Sequence, residues 1–226
     1  MEKKPLWYRF YGRIVKLFLT KKTKIEYLGE KIAGPSVVIS NHEGAAGPLT
    51  WEYNLKTDKK FWSAHEMTEG VKPVFRYLAY YYFPEKKHFS KFFSRLIGFI
   101  GSPFVSLTFK GMAPIPTHNS AMKLVSTLRA SEAALNNGNT LIIFPEDSSK
   151  GYFEKPKFFF SGFVVLGERM LAKGMDLPIY VSYFSKGKKK ITVDPPVMFS
   201  KLKELYGERE AISENLRIRM NELADM

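Results

Sequence analysis

The stretch SNHEGAAGP, residues 40 to 48, follows the apolar run Val37-Val38-Ile39. An Asn-His pair leaving a buried strand suits proton transfer, because neutral imidazole titrates near neutrality and can take a proton from a hydroxyl. A second stretch, Phe144-Pro145-Glu146-Asp147, leaves another apolar run much later in the chain. In an α/β sheet the side chains just past strand ends converge on one cleft, so His42 and Glu146 are expected to meet there. A histidine base is normally held by a partner on its other ring nitrogen. Five residues after His42, where a carboxylate is looked for, stands Gly47. Glu43, Glu146 and Asp147 are the carboxylates available to replace it. For His42 itself, a catalytic base is weighed against a structural or vestigial histidine. His65, His88 and His118 show no metal-ligand spacing on a helix, so no metal is expected.

These residues need elements to position them. Residues 5 to 19, PLWYRFYGRIVKLFL, set Leu6, Phe10, Ile14, Leu17 and Phe18 near one helical face, with Arg9, Arg13 and Lys16 largely elsewhere and Lys21 and Lys22 following. That is a basic amphipathic helix, suited either to packing on its own domain or to lying on a membrane. Short strands are predicted over 25 to 28, 36 to 40 and 60 to 64, with a helix over 48 to 56 opened by Gly47-Pro48. Residues 71 to 107 are apolar and aromatic and read as two interfacial or core helices. A helix over 119 to 136, with Met122, Val125, Leu128 and Leu135 on one face, precedes a strand over 140 to 144. A helix over 158 to 171, a strand over 177 to 183 and a hairpin to 191 to 193 follow. A last amphipathic helix aligns Ile212, Leu216, Met220 and Leu223. Strands alternating with helices predict a single α/β domain with a mixed, mostly parallel sheet flanked by helices. The expected division is a docking helix over 1–24, the α/β domain over 25–200 and a C-terminal helix over 201–226.

Composition narrows the partners. The 226-residue chain has no cysteine, which excludes disulfides, thiolate chemistry and cysteine-based metal sites. Its net charge of +13 implies an anionic partner such as a lipid surface, a CoA-like ligand or nucleic acid. Aromatics at 15% sit beside Lys and Arg, as in FSKFFSRLIGFIG, which favours a membrane interface. No recognisable nucleic-acid module is present, so nucleic acid is not the expected partner. No uninterrupted apolar run reaches the length of a spanning helix, so peripheral attachment with no transmembrane segment is expected. The lysines at 188 to 190 read as a solvated turn.

The order of these stretches resembles the lysophospholipid acyltransferase superfamily, the phospholipid/glycerol acyltransferases typified by bacterial 1-acylglycerol-3-phosphate acyltransferase. That family carries an Asn-His four residues short of an Asp, then a Gly-x-x-Phe-Ile-x-Arg block, then Phe-Pro-Glu-Gly, then an apolar strand containing proline. Here the counterparts are Asn41-His42, GMAPIPT over 111 to 117, Phe144-Pro145-Glu146-Asp147, and LPIYVSYF. FWSAHEM matches the strand that follows the first motif, and the resemblance spans roughly residues 25 to 198. It departs at three points: Gly47 replaces the Asp, Thr117 replaces the Arg, and Asp147 replaces the last Gly.

The resemblance implies transfer of a fatty acyl group from acyl-CoA or acyl-carrier protein to a hydroxyl of a lysophospholipid or glycerolipid-like acceptor. The setting would be the cytoplasmic face of a membrane, with no cofactor beyond the donor and with membrane lipids, acceptor and donor as partners. His42 would be the base and Glu146 a site carboxylate. Asn41, Lys110, Gly111, Thr117 and Lys150 would face the acceptor or its phosphate. The alternative is a catalytically inactive lipid-binding protein of the same fold.

Overall fold

A computed structural model describes residues 4–20, 23–118, 121–147 and 151–226. Lys21, Lys22 and Lys150 fall outside these, as do the side chains of Phe18 and Met122. Helix α1 (Leu6–Val15) continues as a π-helical stretch, Lys16–Thr20, into β1 (Lys24–Tyr27). Next come β2 (Ser36–Ser40), α2 (Ala46–Asn54) and β3 (Lys59–Ala64). A helical hairpin follows, made of α3 (Val71–Tyr77), a π-helical segment (Leu78–Lys86) and α4 (Lys91–Met112). The chain then forms β4 (Ile115–Thr117), α5 (Ala121–Asn136), β5 (Thr140–Ile143), α6 (Gly162–Ala172) and β6 (Pro178–Ser185). It ends with β7 (Lys190–Val193), β8 (Val197–Met198), α7 (Phe199–Tyr206) and α8 (Arg209–Asp225).

The strands build one eight-stranded sheet in the order β1-β7-β6-β2-β5-β3-β4, with β8 also paired to β6. Strands β6, β2, β5, β3 and β4 run parallel, while β7 is antiparallel to β6 and parallel to β1. The expected mixed, mostly parallel sheet is therefore the one found. Alternation along the central strands divides the core. Val37, Ile39, Leu141 and Ile143 face Leu135, Leu166, Met170, Phe199, Ile212 and Met220 of α5 to α8. Val38 and Ile142 face Tyr8, Trp51, Leu55 and Met112 on the other side. Complete burial of β2 and β5 explains why they read as unbroken apolar runs in the sequence.

Three boundaries differ from expectation. Helix α2 starts at Ala46 with Ala45 as its cap, so Gly47 and Pro48 lie inside the first turn. Helix α6 starts at Gly162 because Phe159 is drawn into a bridge with Glu146. The C-terminal helix is two, parted at Gly207 with its φ of 66°.

The hairpin has its own small core of Met67, Val74 and Leu78. Helix α4 is amphipathic in an inverted sense. Ser94, Gly98 and Ser102 are buried, while Phe92, Phe93, Leu96, Phe99, Ile100 and Phe104 are exposed. The small residues permit close approach, as at Gly98, where an added Cβ would lie 3.0 Å from the Ala79 methyl. At 22 residues, α4 is long and apolar enough to cross a membrane by length and composition, with only 22% of its most apolar stretch buried. The expectation of no spanning segment followed from Ser94, Gly98, Gly101, Ser102 and Pro103, which interrupt the apolar run.

Helix α1 lies against α4 and α2. Tyr11 Oη is 2.8 Å from Thr108 Oγ1, and Tyr8 Oη donates to the buried carboxylate of Glu52 at 3.1 Å, which Lys4 also reaches. Leu6, Phe10, Ile14 and Leu17 remain exposed.

Candidate active site

The register of β2 and β5 sets the site. Ile39 pairs with Ile143, so His42 and Glu146 stand level, each three residues past the paired position. The backbone N–H of His42 donates to Glu146 Oε1 at 2.5 Å. The two residues meet as expected, but through the histidine's peptide rather than its ring. The imidazole packs between aromatic rings, with Tyr152 stacked at 5.0 Å between centroids and 25° between planes, and Phe144 tilted at 5.0 Å. Its Nδ1 is sealed from solvent and has no hydrogen-bond partner among the described residues. None of Glu43, Glu146 and Asp147 therefore replaces the missing carboxylate at Nδ1.

Gly47 does more than lack a carboxylate. Its N–H closes a turn on the His42 carbonyl at 3.2 Å. A Cβ at this position would lie 2.4 Å from that oxygen and 3.0 Å from the Asn41 carbonyl, both of them backbone atoms. The turn has tightened around the glycine, helped by left-handed conformations at Glu43 and Gly44, with φ of 44° and 67°. Any side chain here needs the loop to move.

Electrostatics at the pair run opposite to the usual order. Burial pushes the His42 pKa down to about 4; the backbone of Gly44 and of His42 itself draws it partly back, without a hydrogen bond to Nδ1, and the Lys86 charge lowers it further. Burial raises Glu146 to about 7; the His42 N–H opposes the rise, the Glu43 charge adds to it, and the Lys86 charge opposes it. Between these values both groups are neutral, the histidine in the form that can take a proton but with its protonated form disfavoured by burial.

Of the other candidates, Asn41 is a clasp: Nδ2 donates to the Phe184 carbonyl at 3.0 Å and Oδ1 accepts the Phe184 N–H at 2.6 Å. With each end of its amide bonded to the Phe184 backbone, it locks β2 to β6. Lys110 and Gly111 lie at the wrong edge of the sheet. Helix α4 ends at Met112 just before β4 begins, so they sit by the strands' starts, opposite His42. Gly111 is glycine because the Tyr8 ring covers it, 1.9 Å from where a Cβ would be. Thr117 is at the correct edge but on the outermost strand, three strands (about 14 Å) from β2. Its hydroxyl donates to the Ser63 carbonyl. A cleft of about 560 Å³, lined by Asp58, Lys60, Pro114 and Asn137, also lies at the strands' starts and is remote from His42.

Two groups were missed by sequence reasoning. Tyr152 stacks on His42, and Lys86, brought by the hairpin, has its Nζ 5.1 Å from the Tyr152 ring centre and 5.3 Å from that of Tyr81. No strand-end position or periodicity marks either one. Among the described residues, no cluster of three or more His, Asp and Glu could hold a metal.

The chain matches no known protein-family profile and no curated protein. Among solved structures it is similar to the 1-acyl-sn-glycerophosphate (LPA) acyltransferase PlsC from Thermotoga maritima. The match has a TM-score of 0.50 and 14% sequence identity, and it covers 97% of this chain and 77% of that one. At this identity the likeness establishes the fold. The chain therefore shares the α/β fold of that solved structure.

Two outcomes test this geometry. Gly47→Asp is expected to leave activity no higher than wild type and to lower stability by about 1–3 kcal/mol in denaturant unfolding, because the new Cβ meets backbone. Glu146→Gln is expected to stabilise the protein above pH 7.5. A carboxyl raised from 4.5 to about 7 in the fold adds stability below pH 4.5 and loses it as pH rises to 7. Removing it should gain about 1–3 kcal/mol at pH 8 and nothing near pH 4, read by unfolding at both values.

Proposed function

We propose that this protein is an acyltransferase working at a lipid surface, moving a fatty acyl group from a thioester to a hydroxyl of a lysophospholipid or glycerolipid-like acceptor. The observation that carries the reading is the placing of His42 beside the buried Glu146, at the C-terminal ends of adjacent parallel strands, on an acyltransferase fold. The acceptor hydroxyl attacks the thioester carbonyl and gives its proton to His42. The new C–O bond forms, the C–S bond breaks, and the proton passes to the departing thiolate. Without a carboxylate on Nδ1, the imidazolium formed in passing is stabilised by the face of Tyr152, worth about 0.5–2 kcal/mol. That recovers only a small part of what an aspartate contributes. The donor is acyl-CoA or acyl-carrier protein, and no further cofactor is invoked.

The exposed faces of α1 and α4 supply the surface contact. Leu6, Phe10 and Ile14 join Phe92, Phe99, Ile100 and Phe104 on helices that pack together, in a chain carrying +13. Exposed apolar side chains on two packed helices of a strongly basic chain suit an anionic bilayer at the cytoplasmic side.

A second reading, a lipid-binding protein without turnover, is favoured by the partnerless Nδ1 and the filled space at Gly47. The chain's lack of cysteine makes the assay clean, since a thiol-reactive dye reports CoA release without protein background. With acyl-CoA, liposomes and a panel of lysophosphatidic and neutral acceptors, we expect acceptor-dependent release that falls at least a hundredfold, roughly the share of a general base, in His42→Ala. If wild type transfers nothing, from acyl-carrier protein as well when followed by mass spectrometry, but still binds liposomes, the second reading holds.

For the surface, Phe99→Asp with Phe104→Asp is expected to weaken co-sedimentation with anionic liposomes at least tenfold. Unfolding should be unchanged, since these rings are 73% and 60% exposed.

A further inference from the structure

Lys86 is a charged residue that the fold carries into the site from outside the sheet. It ends the π-helical segment of the hairpin and is buried, only 9% exposed. The hairpin closes on both site loops. Tyr82 Oη comes within 3.4 Å of where a Cβ on Gly44 would stand, and the Lys86 carbonyl within 3.9 Å of the same point on Gly151. The Lys86 ammonium lies over Tyr152, the ring stacked on His42, and its charge acts on both Glu146 and Asp147. Lys87 also lies over Tyr152, 5.8 Å from the ring centre, and is exposed.

We propose that Lys86 is a positioning residue of this active site: seated by the hairpin, it holds Tyr152 against His42 and turns its charge toward the Glu146 carboxylate that grips the His42 backbone. The inference rests on the acyltransferase reading for its kinetic arm only. Among the described residues, the charged and titratable groups around Glu146 include Glu43 on the His42 loop, neighbouring Asp147, Tyr183 on β6, His42 itself and Lys86 from the hairpin. Glu43 works against ionisation of Glu146, and so does its burial. Among the described residues, Lys86 is a side-chain cation that works for it. An ionised Glu146 accepts the His42 N–H about twice as strongly as a neutral one, so loss of Lys86 loosens the turn that presents the imidazole. Lys86 also has a cost in the fold, because its burial lowers its own pKa. A buried ammonium at a loop contact contributes little to stability by itself.

The test uses Lys86→Met and Lys86→Arg in the full chain, with two readouts. The first needs no turnover. The stability difference between Glu146→Gln and its Glu146 parent levels off at the pH where Glu146 ionises in the fold. That plateau is expected near pH 7 with Lys86 in place or in the Lys86→Arg background, and about one pH unit higher in the Lys86→Met background. The second is the pH profile of acyl transfer. Such a displacement lowers kcat about fivefold at pH 7 in Lys86→Met and restores it to within about twofold by pH 8.5, with Lys86→Arg close to wild type.

Unfolding at pH 4, where Glu146 is protonated in every variant, checks that Lys86→Met folds; Lys86→Gln replaces it if it does not. An unmoved plateau, or a loss of kcat equal at every pH, overturns the proposal. A plateau that moves in a protein showing no transfer upholds the charge role of Lys86 and rejects the acyltransferase reading instead.

Discussion

The site depends on one pairing, that of β2 with β5. Parallel strands in this register put Ile39 beside Ile143 and so bring His42 level with Glu146. The bond from the His42 N–H to the Glu146 carboxylate then joins the two loops where they leave the sheet. On the other side of β2, Asn41 fastens the same loop to β6 with both ends of its amide. His42 is thus held by backbone and by its neighbours, while its ring is left to aromatic packing. Such a loop keeps the imidazole in place without the carboxylate that would usually orient it.

The missing carboxylate and the shape of the loop are one change. Had Gly47 simply lost a side chain, room would remain for it. Instead the His42 carbonyl occupies the Cβ position and accepts the Gly47 N–H. The ring that results is neutral over most of the pH range, and Glu146 gains its charge only near neutrality. Desolvation is the first cause of both displacements, so a site this dry keeps the imidazole neutral and delays the charge on the carboxylate. Charge formed during a reaction there must be met by Tyr152, Lys86 and the peptide groups already in place.

The sheet and the meeting of His42 with Glu146 were legible in the sequence because burial on both faces leaves an unbroken apolar run. Residues just after such a run stand at a strand end. Asn41 was legible as a special residue but not in its role, since a polar side chain past a strand serves a neighbouring strand as readily as a ligand. Gly111 showed the same ambiguity. A glycine near a lysine suggested an anion site, whereas the structure uses it to seat Tyr8. Lys86 and Tyr152 were illegible. They lie in segments whose local pattern fixes no direction, and only the tertiary closure of the hairpin brings them to His42.

Helix α4 shows why the hairpin defeats a reading by hydrophobic pattern. Its apolar stripe predicts the face that packs, yet that stripe points outward and Ser94, Gly98 and Ser102 face the protein. Small residues allow backbones to approach closely, and the gain is contact between helices rather than burial of large side chains. A helix packed this way is held to its domain more weakly than a core helix, and its apolar side still requires a covering. The same hairpin bears Lys86 at its turn and Tyr82 against Gly44. Whatever covers the outer face therefore acts on an element that touches the His42 loop. A covering that favours the seated hairpin favours the seated lysine by the same free energy, because a ligand shifts a conformational equilibrium only by its differential affinity for the two states.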